Sequence, residues 1–347
     1  MPPKHETRPA PAPNAGALAG PSPATAVRML LGVIIGLTAV VVVMLCAFAL
    51  PSVKGGPNHV PLGLAGPQPA TQALQKGLDA DAWDVKLYPD PQALQAAIKQ
   101  RDISGGLALG AGGITVYTAS AGGQQASAAI TALGSGMAAR QQSKATVSDV
   151  VPFPADDPRG AGFTASGLPL IFGGIMPAIV LLRLFPGHAN LRRRLTGAIL
   201  FALVAGASVA AVLQYGFGSL HGDYWLTALG LSLGMAALSI PFLGLESLLG
   251  FAGLGAGAAV MMLIGNPLSG MAGPHWLPTG WATLGQLLPP GASGSLVRAI
   301  SFFDGTGAGA PALTLGLWAL AGLLLSLIAD RRTTRRPHPE ALAPAAA

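Results

Sequence analysis

The chain has 347 residues, of which 10% are charged and 51% hydrophobic, and its mean hydropathy is +0.54. That balance belongs to a membrane protein rather than to a set of soluble domains. The formal charge of +6 does not indicate a nucleic-acid binder, because the basic residues flank apolar runs and are not interleaved with aromatics on one segment.

Residues 1–26 are Pro-rich and lack apolar periodicity, the pattern of a disordered cytoplasmic tail. The first transmembrane helix is expected over 27–50, around the uncharged run Met29–Leu50. A helix crosses about 30 Å of hydrocarbon with about 20 apolar residues. The run exceeds the usual signal-peptide core of about 7–15 residues, so it is read as a retained anchor. The only cysteine, Cys46, lies inside it, which excludes an intramolecular disulfide framework and a cysteine-based metal site.

Residues 51–162 carry ordinary charge and short alternating elements. A strand in HVPLGLAG is followed by a helix in ATQALQKGLDADAW, a strand in DVKLYP, and a helix in DPQALQAAIKQRD that Asp90 caps ahead of Pro91. Two strands around a glycine turn then appear in GLALGAGGITVYTAS, followed by the Ala-rich helix GGQQASAAITALGSGMAARQQ and a strand in ATVSDVVPF. This is a small extracytoplasmic α/β domain with helices covering a sheet. His59, Asp79, Asp81 and Asp84 are assigned structural roles, and Asp156 and Asp157 a turn returning the chain to the membrane.

Residues 163–330 form a five-helix membrane domain, with spans at Phe163–Leu182, Leu195–Leu220, Tyr224–Leu245, Ser247–Gly265 and Gly305–Ala329. The basic clusters before the first span, at Arg192, Arg193 and Arg194, and in the basic tail 331–347 all fall on one side only if there are six helices in total. The fold class is therefore a six-helix polytopic membrane protein of the cell membrane. Both termini are expected in the cytoplasm, with a cytoplasmic turn near Pro241–Glu246. Glu246, the only acid between Asp223 and Asp304, is placed at a helix start, where the helix dipole stabilises a carboxylate. The sharper alternative is a proton relay or substrate contact.

Segment 266–303 precedes the last span. From Asn266 to Ser293 it holds Pro, Gly and Trp but no Lys, Arg, Asp or Glu. An outer, charge-free segment of this kind belongs at the interface, with Trp276 and Trp281 at headgroup depth. WATLGQLL and SLVRAISFF can each form a short helix, the second with Leu296, Ile300 and Phe303 on one apolar face. The plain reading is an interfacial connector, and the sharper one a re-entrant outer gate that includes Asn266, Pro267, Pro289 and Pro290. The chain has no Gly-Lys dipeptide and hence no Walker A loop, so energy for work must come from another polypeptide or an ion gradient. No cluster calls for a metal, a cofactor or an enzyme's catalytic residues.

Met262–Gly305 resembles the signature before the last span of actinobacterial ABC-2-type permeases and YhgE/Pip-like membrane proteins, and SGLPLIFGGIMPAIVLL resembles the start of their second span. The layout is also similar from Met29 to Asp330, although a Pro-rich N-terminus replaces the amphipathic helix of many such permeases and the cytoplasmic loops are short. The resemblance implies a permease subunit that exports a hydrophobic or amphipathic compound, with a second copy and a separate cytoplasmic ATPase as its partners. The ATPase contact then maps onto Phe185, His188, Arg192, Arg193 and Arg194. The competing expectation is a non-transporting envelope protein whose outer domain binds a partner or serves as a phage-contact surface.

Overall fold

The computed structural model describes residues 22–187, 190–271 and 273–334. It divides into residues 1–46 and 47–347. In the first unit, helix α1 (Pro23–Lys54) contains an apolar span, Ala24–Cys46, none of which is buried by protein. A helix that is apolar all round has no face for water, and at 23 residues this span reaches about 34 Å, enough to cross a bilayer.

The second unit opens with the expected alternation: β1 (Val60–Ala65), α2 (Gln68–Gly77), β2 (Trp83–Tyr88), α3 (Pro91–Lys99), β3 (Gly105–Gly110), β4 (Gly113–Thr118), α4 (Gln124–Arg140) and β5 (Ala145–Asp149). The sheet order is β2-β1-β3-β4-β5, parallel except for the β3–β4 hairpin. Strand alternation sorts the side chains: Val60, Leu62, Leu64, Leu107 and Val116 pack with Ile130 of α4, whereas Ala65 and Ala108 face Leu94 and Ile98 of α3. Gly106 lets α3 approach closely, since a Cβ there would strike Leu94, and a Cβ at Gly63 would strike Ile103. Asp90 caps α3 by accepting from Ala93 N at 2.7 Å.

Asp157 returns the chain to the apolar bundle by accepting from the amides of Ala161 and Gly162 at the start of α5 (Ala161–Ala165). Then come α6 (Gly167–Leu184), α7 (Leu191–Ala211), α8 (Tyr224–Leu249), α9 (Phe251–Val260), α10 (Trp281–Leu287), α11 (Pro289–Phe302) and α12 (Gly309–Thr334). Among the described residues, five helices are long and apolar enough to cross a membrane: Ala24–Cys46, Ala161–Leu184, Leu191–Gly216, Tyr224–Leu249 and Gly309–Arg331. Phe251–Gly265 is apolar but shorter.

One expectation is corrected. The break in Tyr224–Gly265 does not fall at Pro241–Glu246, because α8 runs through Pro241 to Leu249 and the turn is made by Gly250 at φ +67°. Proline forfeits one intrahelical hydrogen bond, but within a bundle neighbouring helices cover the gap, and here Gly322 of α12 lies against the Pro241 nitrogen. Glu246 therefore sits in the last turn of α8 and not at a helix start.

The bundle has two distinguishable ends. At one, Gly222 abuts the carbonyl of Ile300, Arg101 Nη1 donates to the Thr306 carbonyl at 3.2 Å, and Phe303 enters the α/β core. At the other, Glu246 meets Arg194.

Candidate functional site

The site is built by the chain between α8 and α12. After Gly250 the chain doubles back, and α9 lies close on α8 because a Cβ at Gly253 would strike the Leu245 carbonyl and one at Gly257 would strike Phe242. With its terminal π turn, Met261–Gly265, this helix covers only about 22 Å. Short 3-10 turns at Pro267–Ser269 and Pro274–Trp276 carry the chain onward to the α/β domain. There Asn58 N donates to the His275 carbonyl at 3.1 Å and Asn58 Nδ2 to the Leu277 carbonyl at 2.8 Å. The chain then turns back as α10 and returns as α11.

Two contacts measure how deep this hairpin reaches. Ser293 lies against Gly234, about 15 Å along α8 from Tyr224. Leu287 accepts from Trp318 Nε1 at 2.8 Å, about 14 Å along α12 from Gly309. The α10–α11 junction thus stands well inside two long apolar helices. Its backbone is covered: every residue from Pro289 to Ala299 is buried. A Cβ at Gly285 would meet the Leu268 carbonyl, and one at Gly291 the Gly285 carbonyl. Gln286 donates to the Ser269 carbonyl at 3.0 Å, and the Ser295 hydroxyl donates to Gln286 Oε1. Arg298, only 3% exposed, donates to the Met271 carbonyl and stacks over Phe163 at 5.0 Å. Leu296 and Ile300 of α11 pack in one apolar cluster, Phe303 just past the helix end packs in the α/β core, and the polar Ser293 and Arg298 of the same helix are buried as well.

Of the residues singled out in the sequence, Asn266, Pro267 and Trp276 come together with Thr164, Ser269 and Met271 around a cavity of about 300 Å³. Pro289 and Pro290 form the hairpin tip, where Pro290 packs on Gly265. Trp281 starts α10 and does not line that cavity.

At the far end of the bundle the three arginines begin α7 but differ in setting. Arg194 is buried, donating from Nε to the Phe185 carbonyl at 2.7 Å and pairing with Glu246 at 3.3 Å. Arg193 donates to Asn190 Oδ1 at 3.1 Å and is exposed like Arg192. His188 lies outside the described residues.

Sequence reading passes over one formal motif, Gly230-Leu231-Ser232-Leu233-Gly234, which has the GxSxG spacing of a nucleophile elbow. That motif needs a strand-to-helix turn, whereas Ser232 is buried inside α8 and donates to the Ala228 carbonyl at 2.7 Å. No family model, curated protein or solved structure matches the chain.

Proposed function

We propose that the chain is the membrane-spanning subunit of an ABC-2-type exporter that moves a hydrophobic or amphipathic compound, using a separate cytoplasmic ATPase. The observation that carries this reading is the hairpin α10–α11. Non-helical backbone is tolerated at membrane depth only where protein or a wet cavity satisfies it; this hairpin is enclosed by α6, α8 and α12, and the segment leading into it, from Asn266 to Leu277, lines a cavity. In this reading the chain from Phe251 to the turn at Pro267–Ser269 completes a sixth crossing, the α/β domain lies outside, and the hairpin is the outer gate. The kinship to ABC-2-type and YhgE/Pip-like proteins rests on the residues of Met262–Gly305.

A second cavity, of about 330 Å³ and almost purely apolar, lies between α8, α9 and α12, walled by Leu238, Phe242, Val260, Met261 and Trp318. It suits the apolar part of a transported compound. The end of the bundle bearing Arg192 and Arg193 faces the cytoplasm under the positive-inside rule and offers exposed cations to the ATPase. Two copies would supply the twelve spans usual for such a permease.

Co-expression with a candidate ATP-binding subunit and reconstitution in proteoliposomes tests this. ATP-dependent movement of an amphipathic dye is expected, and the Arg192→Gln/Arg193→Gln variant should insert normally but bind the ATPase about tenfold more weakly, equivalent to about 1.4 kcal/mol. A chain that inserts yet neither binds the ATPase nor moves dye is the non-transporting envelope protein instead.

A further inference from the structure

Between the α/β domain and the segment that leads into the hairpin lies a cavity of about 100 Å³, bounded by Arg101, Ser104, Gly123, His275, Trp276 and Phe303. A water takes up about 30 Å³ of liquid, so the space suits a small polar group rather than a drug-sized molecule. Its lining carries one guanidinium, Arg101, with His275 and no carboxylate. Arg101 uses one donor on the Thr306 carbonyl and stacks over Phe303 at 5.1 Å. Arg101 lies within ion-pair distance of no carboxylate among the described residues. Burial pushes the Arg101 guanidinium below its ordinary pKa. The one carboxylate acting on the lining is Asp84, which acts on His275.

Two backbone features agree with this. Helix α4 begins at the cavity with Gly123 as its N-cap and no side chain capping it, so its first amides are free to donate. Arg101 itself sits at φ +63°, a left-handed conformation that favours glycine, and Gly307, at φ +78°, leaves room for its Nη1. The left-handed residue closes the C-terminal end of α3, Arg101 N donating to the Ile98 carbonyl and Asp102 N to the Ala97 carbonyl, which fixes where the guanidinium leaves the backbone.

We infer that this cavity binds a phosphate-type oxyanion, held by the Arg101 guanidinium, the Ser104 hydroxyl and the first amides of α4, where the α/β domain meets the hairpin. The ligand is either a free phosphate group or the headgroup of an anionic phospholipid, and both share this chemistry. The inference stands apart from the exporter reading, because an oxyanion here requires no transport.

Full-length protein in a neutral detergent is titrated with inorganic phosphate, and separately with phosphatidylglycerol in mixed micelles, while Tm and tryptophan fluorescence are followed. Phosphatidylcholine and chloride at matched ionic strength are the controls. Saturable stabilisation is expected, with the half-saturating concentration raised at least tenfold in Arg101→Gly. Glycine relieves the left-handed backbone, so this variant stays folded by circular dichroism, and Arg101→Lys should retain part of the response. Half-saturation by the lipid at much lower concentration than by phosphate identifies a headgroup, and the reverse identifies a free anion. Absence of a saturable response to either probe, or an unchanged response in folded Arg101→Gly, overturns the inference.

Discussion

At the scale of single residues, the ion pair Arg194–Glu246 shows how two unfavourable placements offset each other. A cation in the first turn of α7 and a carboxylate in the last turn of α8 each oppose their own helix dipole. Brought to 3.3 Å, each supplies the charge that the other's helix end lacks. Removing one partner from a largely buried pair leaves an uncompensated charge, so Glu246→Ala should destabilise the protein by about 3 kcal/mol, seen as a lower thermal midpoint. The double variant Arg194→Met/Glu246→Leu should recover most of that loss. His275 offers a pH-dependent counterpart. Burial holds its pKa below the ordinary 6.5, with Asp84 pulling in the opposite direction. Because the folded state binds the proton less readily than the unfolded chain, stability is complete above about pH 6.5 and declines as the pH falls below it. Thermal midpoints between pH 7.5 and 5 should fall less steeply for His275→Asn than for the wild type.

At the scale of elements, the strands and helices of the α/β domain were legible because each announces itself locally. Asp90 stands before Pro91, glycines separate β3 from β4, and apolar residues alternate along β1. Helix α8 was misread because a proline suggests a break, and only the distant Gly322 shows how the bundle tolerates it. The depth of α10–α11 was equally hidden, since it depends on Gly234 and Trp318, remote from the hairpin in sequence. What sequence conveyed there was the absence of charge from Asn266 to Ser293, which fits burial as well as it fits an interface. The packing gives a direct test. A Cβ at Gly285 would clash with the Leu268 carbonyl, so backbone must move to accept alanine. Gly285→Ala should cost about 3 kcal/mol or more, with loss of folded yield. Gly136, on the exposed side of α4 with nothing near its Cβ position, provides the contrast: Gly136→Ala should stabilise by about 0.5–1 kcal/mol.

At the scale of the whole molecule, the question is which solvent surrounds each part of the second unit. Large apolar side chains stand exposed on α6, α7, α8 and α12, which is the expected surface of a bundle solvated by lipid. The hairpin presents a sharper case, because Leu287 near its tip is 58% exposed in the protein whereas Leu277 is buried. A re-entrant hairpin turns Leu287 toward lipid, and an interfacial connector turns it toward water. Single cysteines at Leu277, Thr279 and Leu287 separate these, in a Cys46→Ala background because Cys46 is exposed. With a membrane-impermeant thiol reagent applied to intact cells, Thr279→Cys should label, since it lies exposed beside Asn58 at the α/β domain. Leu277→Cys should stay protected by packing. Leu287→Cys should also stay unlabelled in the membrane, although no protein covers it. Strong labelling of Leu287→Cys in intact cells would place the hairpin tip in water and remove the basis for a gate at membrane depth.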